Sequence, residues 1–230
     1  TVPVDRSRHF GSVKTQKKMK YAASLVKLHI DERLKALRTD ALARGIPVTD
    51  EETLNYLLLM LSASRPRRIL EIGTAVGLSA AAMLLRCPAA HVTTIELEEE
   101  RYLEAKQNFE RFGISSRVTC YLGDAGEILS MMDGRFDFVF LDGPKAQYEK
   151  YLFDLKRLMP TGGVLFADDV LLYGWVSGEQ PAPQKRHSIV DKLRGYLANI
   201  SADEDFITSV LDVGDGVAVS VLTKEKDSEG

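Results

Sequence analysis

Only two cysteines occur in the 230 residues, Cys87 and Cys120, and neither sits in a CxxC pair or near a histidine at ligand spacing. A disulfide framework and a thiolate metal cluster are therefore excluded, and both residues read as reduced core thiols. Histidine is equally sparse: His9, His29, His91 and His187 are scattered, so no histidine-based metal site is spelled out. No apolar run is long enough to cross a bilayer, and no basic-then-apolar leader precedes the first expected helix, which makes a cytoplasmic location the expectation. Neither sign of charge dominates. With 30 basic and 33 acidic residues the net charge is -3, which gives no general invitation to a polyanion.

At 45% apolar and 27% charged residues the makeup is that of a soluble globule, and the length suits one large core. A single domain is expected, with a helical cap and basic segment over 1–64, an α/β core over 65–223 and a loose tail over 224–230. Charge is uneven within the cap. Residues 1–30 carry Arg6, Arg8, Lys14, Lys17, Lys18, Lys20 and Lys27 against Asp5 alone. Such a patch can touch phosphates, although a solvated helix face explains it equally well.

Apolar spacing over 15–43 (Ala22, Val26, Ile30, Leu34, Leu37) predicts one helix, which "GIP" at 45–47 ends. A second helix is expected after Thr49, whose hydroxyl would cap it while Glu52 completes a capping box. From residue 67 the period changes. "RRILEIG" (67–73), "HVTTIE" (91–96), "RVTCYLG" (117–123), "FDFVFLDG" (136–143) and "GGVLFADD" (162–169) read as strands, with helical segments between them. Strict alternation gives a parallel sheet covered by helices on both faces. "DFITSVLDV" and "GVAVSVLTK", joined by "GDG" at 214–216, read as an antiparallel edge hairpin.

Ligands of such sheets bind beyond the carboxyl ends of the strands. There "EIGTAVGLS" (71–79) offers Gly73 and Gly77 for a tight turn and close backbone approach, followed by a helix N-terminus. The loop has neither the full GxGxxG of a nicotinamide site nor the GK[ST] of a P-loop. Glu96 closes the second strand, 23 residues after Gly73, where a carboxylate can accept both hydroxyls of a ribose. Asp124-Ala125 adds an acid suited to an adenine amino group, and Glu71 stands where it can meet the amino end of an amino-acid ligand. Together these describe a pocket for an adenosine without phosphate. Asp142, Asp168 and Asp169 end the fourth and fifth strands, and three carboxylates on one rim suit a hard cation such as Mg²⁺.

"EIGTAVGLS", "IELEEE", "LGDA", "LDGPKAQY" and "FADDVLLYG" together resemble the class I metal-dependent O-methyltransferases of the catechol and caffeoyl-CoA type, in particular their small bacterial members, from roughly residue 46 to 222. The resemblance implies a Rossmann-like fold with a mostly parallel seven-stranded sheet, and S-adenosylmethionine held by Glu71, Gly73, Thr74, Gly77, Ser79, Glu96, Asp124, Ala125 and Asp142. It also implies Mg²⁺ held by Asp142, Asp168 and Asp169, the last standing where the family usually has asparagine. Lys145 matches the family's lysine near the reacting hydroxyl, which makes Lys145 and Asp142 the candidate catalytic pair. Tyr148 and Trp175 are candidate walls of the acceptor pocket, a position that aromatic packing explains as well. One branch of these relatives methylates 5-hydroxyuridine in tRNA. "ARGIPVTDEE", together with Lys14, Lys17, Lys18 and a basic loop over 184–194 carrying Arg186, favours that acceptor over a small catechol-like or caffeoyl-CoA-like compound. A homodimer is expected on the same resemblance.

Overall fold

The computed structural model describes residues 21–224, and among them strand and helix alternate as the change of hydrophobic period predicts. The five central runs become β1 (Arg68–Ile72), β2 (His91–Glu96), β3 (Val118–Leu122), β4 (Phe138–Leu141) and β5 (Val164–Ala167). The last two form the hairpin β6 (Phe206–Leu211) and β7 (Val217–Leu222), and β7 pairs antiparallel with β5. The seven strands lie in the order β3-β2-β1-β4-β5-β7-β6, with β7 alone running against the rest. The order reverses beside β1, so β2 and β4 flank it and a crevice opens at their carboxyl ends.

Side chains alternate across the sheet and build two cores. Ile69, Phe138, Phe140 and Phe166 face one layer, formed by α2 (Glu32–Ala43), α3 (Glu51–Ser64), α4 (Leu78–Arg86) and α5 (Glu99–Phe112). Leu70, Ile72, Val139 and Leu165 face the other, formed by α6 (Ala125–Met131), α7 (Tyr148–Arg157) and α8 (His187–Ala202). Burial on both faces explains why β4 and β5 read as unbroken apolar runs and why β1 is apolar at every position but Arg68 and Glu71. Both cysteines are free. No helix among the described residues is long and apolar enough to cross a membrane.

Three local expectations are corrected. Among the described residues the single helix expected over 15–43 is interrupted: α1 (Tyr21–Ser24) and α2 are separated by an irregular stretch that ends at Asp31, whose carboxylate accepts the Arg33 N–H and starts α2 afresh. The cap of α3 is Asp50 rather than Thr49: its Oδ1 accepts from Glu52 N and Thr53 N at 2.8 and 3.0 Å. Glu52 does not close a capping box, since its Oε2 accepts from Gly214 N of the β6–β7 turn. The stretch 184–194 is not a loop but a 3₁₀ turn (Gln184–Arg186) leading into α8, which buries Val190, Leu193, Tyr196 and Ile200. Lys14, Lys17 and Lys18 lie outside the described residues.

Candidate active site

A cavity of about 740 Å³ fills the crevice at the carboxyl ends of β1, β2, β4 and β5. Its walls come from the Ile46–Asp50 approach to α3, from Gly73 and Ala75 after β1, from Glu96 to Glu98 after β2, and from Asp124 and Ala125. Asp142 to Lys145, Asp168 and Asp169, Tyr173 and Asp215 complete it. Eight carboxylates line this space against two cations, Arg101 and Lys145, and Arg101 is already paired with Glu104 at 3.3 Å.

At one end Glu96 is a rigid acceptor. Its Oε2 takes the Ala75 N–H at 2.7 Å, and its Oε1 takes those of Leu97 and Glu98 at 2.9 Å. Asp124 caps α6 through Oδ1, which accepts from Gly126 N and Glu127 N. Gly73 has φ 98°, and a Cβ there would stand 2.5 Å from the Asp142 carbonyl oxygen, so glycine is required where the β1 loop crosses β4.

Four of the expected cofactor residues, Glu71, Thr74, Gly77 and Ser79, lie beneath the loop in this structure and do not line the cavity. Glu71 is completely buried, its Oε1 accepting from Ser79 Oγ and its Oε2 from Thr94 Oγ1, both at 2.5 Å. Thr74 Oγ1 lies 2.5 Å from Thr94 Oγ1 in the same network. Burial pushes the Glu71 carboxyl up to about 8. Gly77 serves packing: a Cβ there would meet the Phe109 ring at 2.6 Å.

At the other end the three aspartates share a rim, with an ammonium between two of them. Lys145 Nζ lies 2.5 Å from Asp142 Oδ1 and 3.1 Å from Asp169 Oδ2. Asp168 Oδ1 accepts the Asp169 N–H at 2.7 Å. Among the described residues no three carboxylates, histidines or cysteines are gathered as a ready coordination shell, and Lys145 stands between Asp142 and Asp169. Burial raises the carboxyl pKa of both Asp142 and Asp168, and the neighbouring aspartates push in the same direction. Burial alone would lower the Lys145 ammonium, but Asp142, Tyr148 and Asp169 outweigh it and hold the proton. Donor chemistry nevertheless fits a hard divalent cation: the groups are all oxygen, and three acids face one ammonium.

Tyr148 does not line the cavity. It is fully buried below the rim, its hydroxyl donating to the carbonyl oxygens of Leu141 and Asp168 at 3.0 and 3.1 Å. Trp175 is also off the wall, packed beside Tyr173 with ring centres 5.0 Å apart, and it is Tyr173 that reaches the cavity. Arg186 is exposed and away from the cavity lining. Two contributors were missed. Thr49, read as a cap, points its hydroxyl at Asp142 Oδ2, 3.5 Å away. Asp215 comes from the "GDG" hairpin turn, where its carbonyl accepts the N–H groups of Leu171 and Leu172 and anchors the loop that carries Asp169.

Comparison with known proteins points the same way. The O-methyltransferase family model matches residues 24–223. Over 124 residues the chain is 36% identical to O-methyltransferase hkm8 of Aspergillus hancockii, covering 52% of this chain and 49% of that protein, so it spans about half the fungal relative. It is 27% identical over 183 residues to a caffeoyl-CoA O-methyltransferase of Populus kitakamiensis, covering 76% of this chain and 77% of the relative. The crystal structure of O-methyltransferase TomG from Streptomyces achromogenes, involved in tomaymycin synthesis and solved in complex with SAM, matches with a TM-score of 0.76 at 25% identity. That match covers 89% of this chain and 95% of the other. With its fold, its carboxylate-lined crevice and a family match across nearly all the described residues, the chain belongs to the O-methyltransferase family.

Proposed function

We propose that the chain transfers the methyl group of S-adenosylmethionine to one hydroxyl of a small, uncharged catechol-like compound, with Mg²⁺ or a similar cation held by Asp142, Asp168 and Asp169. The observation that carries this reading is the carboxylate-lined cavity in which Lys145 bridges Asp142 and Asp169. A cationic sulfonium cofactor is favoured in such a field over its neutral thioether product. Glu96, fixed by three backbone N–H groups, is placed to accept the ribose hydroxyls, and Asp124 Oδ2 is left to accept from an adenine amino group.

The bound cation would supply Lewis acidity that lowers the pKa of the acceptor hydroxyl. The rest falls to the chain. The cavity walls hold the hydroxyl oxygen in line with the sulfonium methyl, so that the new O–C bond forms as the S–C bond breaks. As the structure stands Lys145 is an ammonium and stabilises negative charge developing on the phenolic oxygen. It takes the hydroxyl proton itself only when Asp142 and Asp169 are neutralised by another partner.

The same field disfavours phosphate-bearing acceptors, and for that reason the small phenol is placed ahead of tRNA and caffeoyl-CoA. The tRNA reading, methylation of 5-hydroxyuridine to 5-methoxyuridine, rests on the basic residues 1–30 and the exposed Arg186. Initial rates with labelled S-adenosylmethionine, Mg²⁺ and either catechol, caffeoyl-CoA or hydroxyuridine-containing tRNA separate the three. Efficient catechol methylation with no methoxyuridine in digested RNA is expected; the reverse pattern transfers the assignment to tRNA. A homodimer is proposed on the family resemblance, and light scattering that shows only the 25.6 kDa species would reject it.

A further inference from the structure

The opposite rim of the sheet has the reverse polarity. Where α3 and α4 end and β1 and β2 begin, a second concavity of about 430 Å³ is lined by Ser62, Arg65, Arg67 and Arg86 over an otherwise apolar floor, with no aspartate or glutamate in its wall. None of the three guanidinium groups has a carboxylate partner among the described residues. Asp137, the nearby acid, spends Oδ2 on the backbone N–H groups of Arg67 and Arg68, at 2.7 and 2.9 Å.

Cations at helix C-termini often do no more than balance the carbonyl ends. Here that role is filled by other groups. Arg117 Nη1 donates to the carbonyl oxygens of Leu84, Cys87 and Pro88, which closes the end of α4. At α3 the Leu61 carbonyl takes the Arg65 backbone N–H, 2.9 Å away. Arg86 is aimed by its Nε, which donates to Ser62 Oγ at 2.5 Å, and its two terminal nitrogens make no hydrogen bond among the described residues. Arg65 sits at φ 50°, ψ 54°, a left-handed position that glycine adopts without strain and arginine does not. The fold thus places three uncompensated guanidinium groups around one concavity, one of them at a conformational cost.

We propose that this concavity binds a diphosphate group, free or carried by a small nucleotide, through Arg65, Arg67 and Arg86. Guanidinium forks match phosphoryl oxygens in pairs, and the volume lies in the range of small-ligand cavities. The five residues of β1 separate it from the active site by roughly 16 Å, and the inference does not rest on the proposed acceptor.

Calorimetry at fixed ionic strength tests it, with inorganic pyrophosphate, ADP and adenosine as titrants and S-adenosylmethionine as the active-site control. Pyrophosphate is expected to bind with a sub-millimolar Kd, and Arg65→Gln, Arg67→Gln and Arg86→Gln each to weaken it about tenfold or more without moving the S-adenosylmethionine isotherm. With the active site saturated by S-adenosylmethionine, ADP binding more tightly than pyrophosphate assigns the nucleotide-borne form, and weaker ADP binding assigns the free one; under that saturation adenosine stays silent in both cases. If the Arg65 or Arg86 variants fail to fold, Arg67→Gln still reports, because the Arg67 side chain holds no hydrogen bond in the fold among the described residues. Amide NMR shifts in the unsubstituted protein are expected over 62–67 and 86–89. Heat no greater than that of matched sodium chloride, unchanged affinity in Arg67→Gln, or shifts confined to the active-site rim would overturn the site.

Discussion

Glu71→Gln is a sharp test of how the loop after β1 is held. The Glu71 carboxyl is buried beneath that loop between Ser79 and Thr94 hydroxyls, and desolvation raises it to about 8. The two hydroxyl donors pull it back, and the charges of Asp142 and Glu96 add to the rise. Because its folded value exceeds the 4.5 of an ordinary glutamate carboxyl, the native state binds this proton more tightly than the unfolded chain. The stability it contributes is therefore complete below about pH 4.5 and is lost as the pH climbs through about 8. At 1.36 kcal/mol per pH unit across that window, the loss amounts to about 5 kcal/mol at the alkaline end. Glutamine keeps the shape and stays neutral, and one of the two hydroxyls can turn to accept from its amide. Urea unfolding from pH 5 to pH 9 is the assay. Relative to the variant, the natural chain is expected to lose about 3–5 kcal/mol over the range, ending as the less stable of the two. Parallel pH profiles for the two proteins would refute the reasoning, since they would mean that Glu71 ionises in the folded chain as it does in the unfolded one.

Lys145→Met removes the ammonium that pairs with Asp142 and Asp169, so Mn²⁺ binding followed by electron paramagnetic resonance is expected to tighten about tenfold while methyl transfer falls at least about a hundredfold. Asp169→Asn restores the family's usual residue and takes away one Lys145 partner; Mn²⁺ affinity should drop about three- to tenfold with turnover retained, as measured by the same titration and an initial-rate assay. Gly77→Ala drives a methyl into the Phe109 ring and should cost about 1–3 kcal/mol in denaturant unfolding, with the S-adenosylmethionine Kd little changed. Gly216→Ala, where a Cβ would stand 2.3 Å from Leu171 Cγ, should displace the loop bearing Asp169. Calorimetry is expected to show weaker metal binding beside intact cofactor binding.

The sheet was legible because buried parallel strands leave apolar runs, unbroken in β4 and β5 and interrupted in β1 by Glu71 after its first residue Arg68. Glu96 was legible because it is the last residue of its strand and so reaches the rim. The depth of Glu71 was not, although the period of two contains the answer: it shares a face with Ile69 under α4, one residue short of the strand end, and Ser79 closes over it. A strand-end position identifies the rim but not the depth. Tyr148 misleads in the same way, since an aromatic at the first turn of α7 is turned inward to satisfy two carbonyls rather than outward to a ligand. Helix α8 carried a plain apolar spacing at Val190, Leu193, Tyr196 and Ile200, but the basic residues before it drew the reading toward a phosphate-binding loop. Asp215 had no local signal, because its place depends on β7 pairing with β5 and bringing the hairpin turn over the Asp169 loop.

A net charge of -3 conceals a separation along the strand direction. Helices α3, α5 and α6 begin at the carboxyl rim, and the positive ends of their dipoles point there. Asp50 and Asp124 cap two of these starts, and Glu99 and Glu100 occupy the first turn of the third. Helix dipoles thereby offset part of the repulsion that an acid-lined crevice would otherwise suffer. The same geometry runs in reverse at the amino rim, where α3 and α4 end and Arg65, Arg67 and Arg86 gather. One arrangement of helices against a parallel sheet therefore produces both fields. A field of this sign draws a sulfonium and a divalent cation to the carboxyl rim and leaves phosphoryl groups better matched to the other end of the same strands.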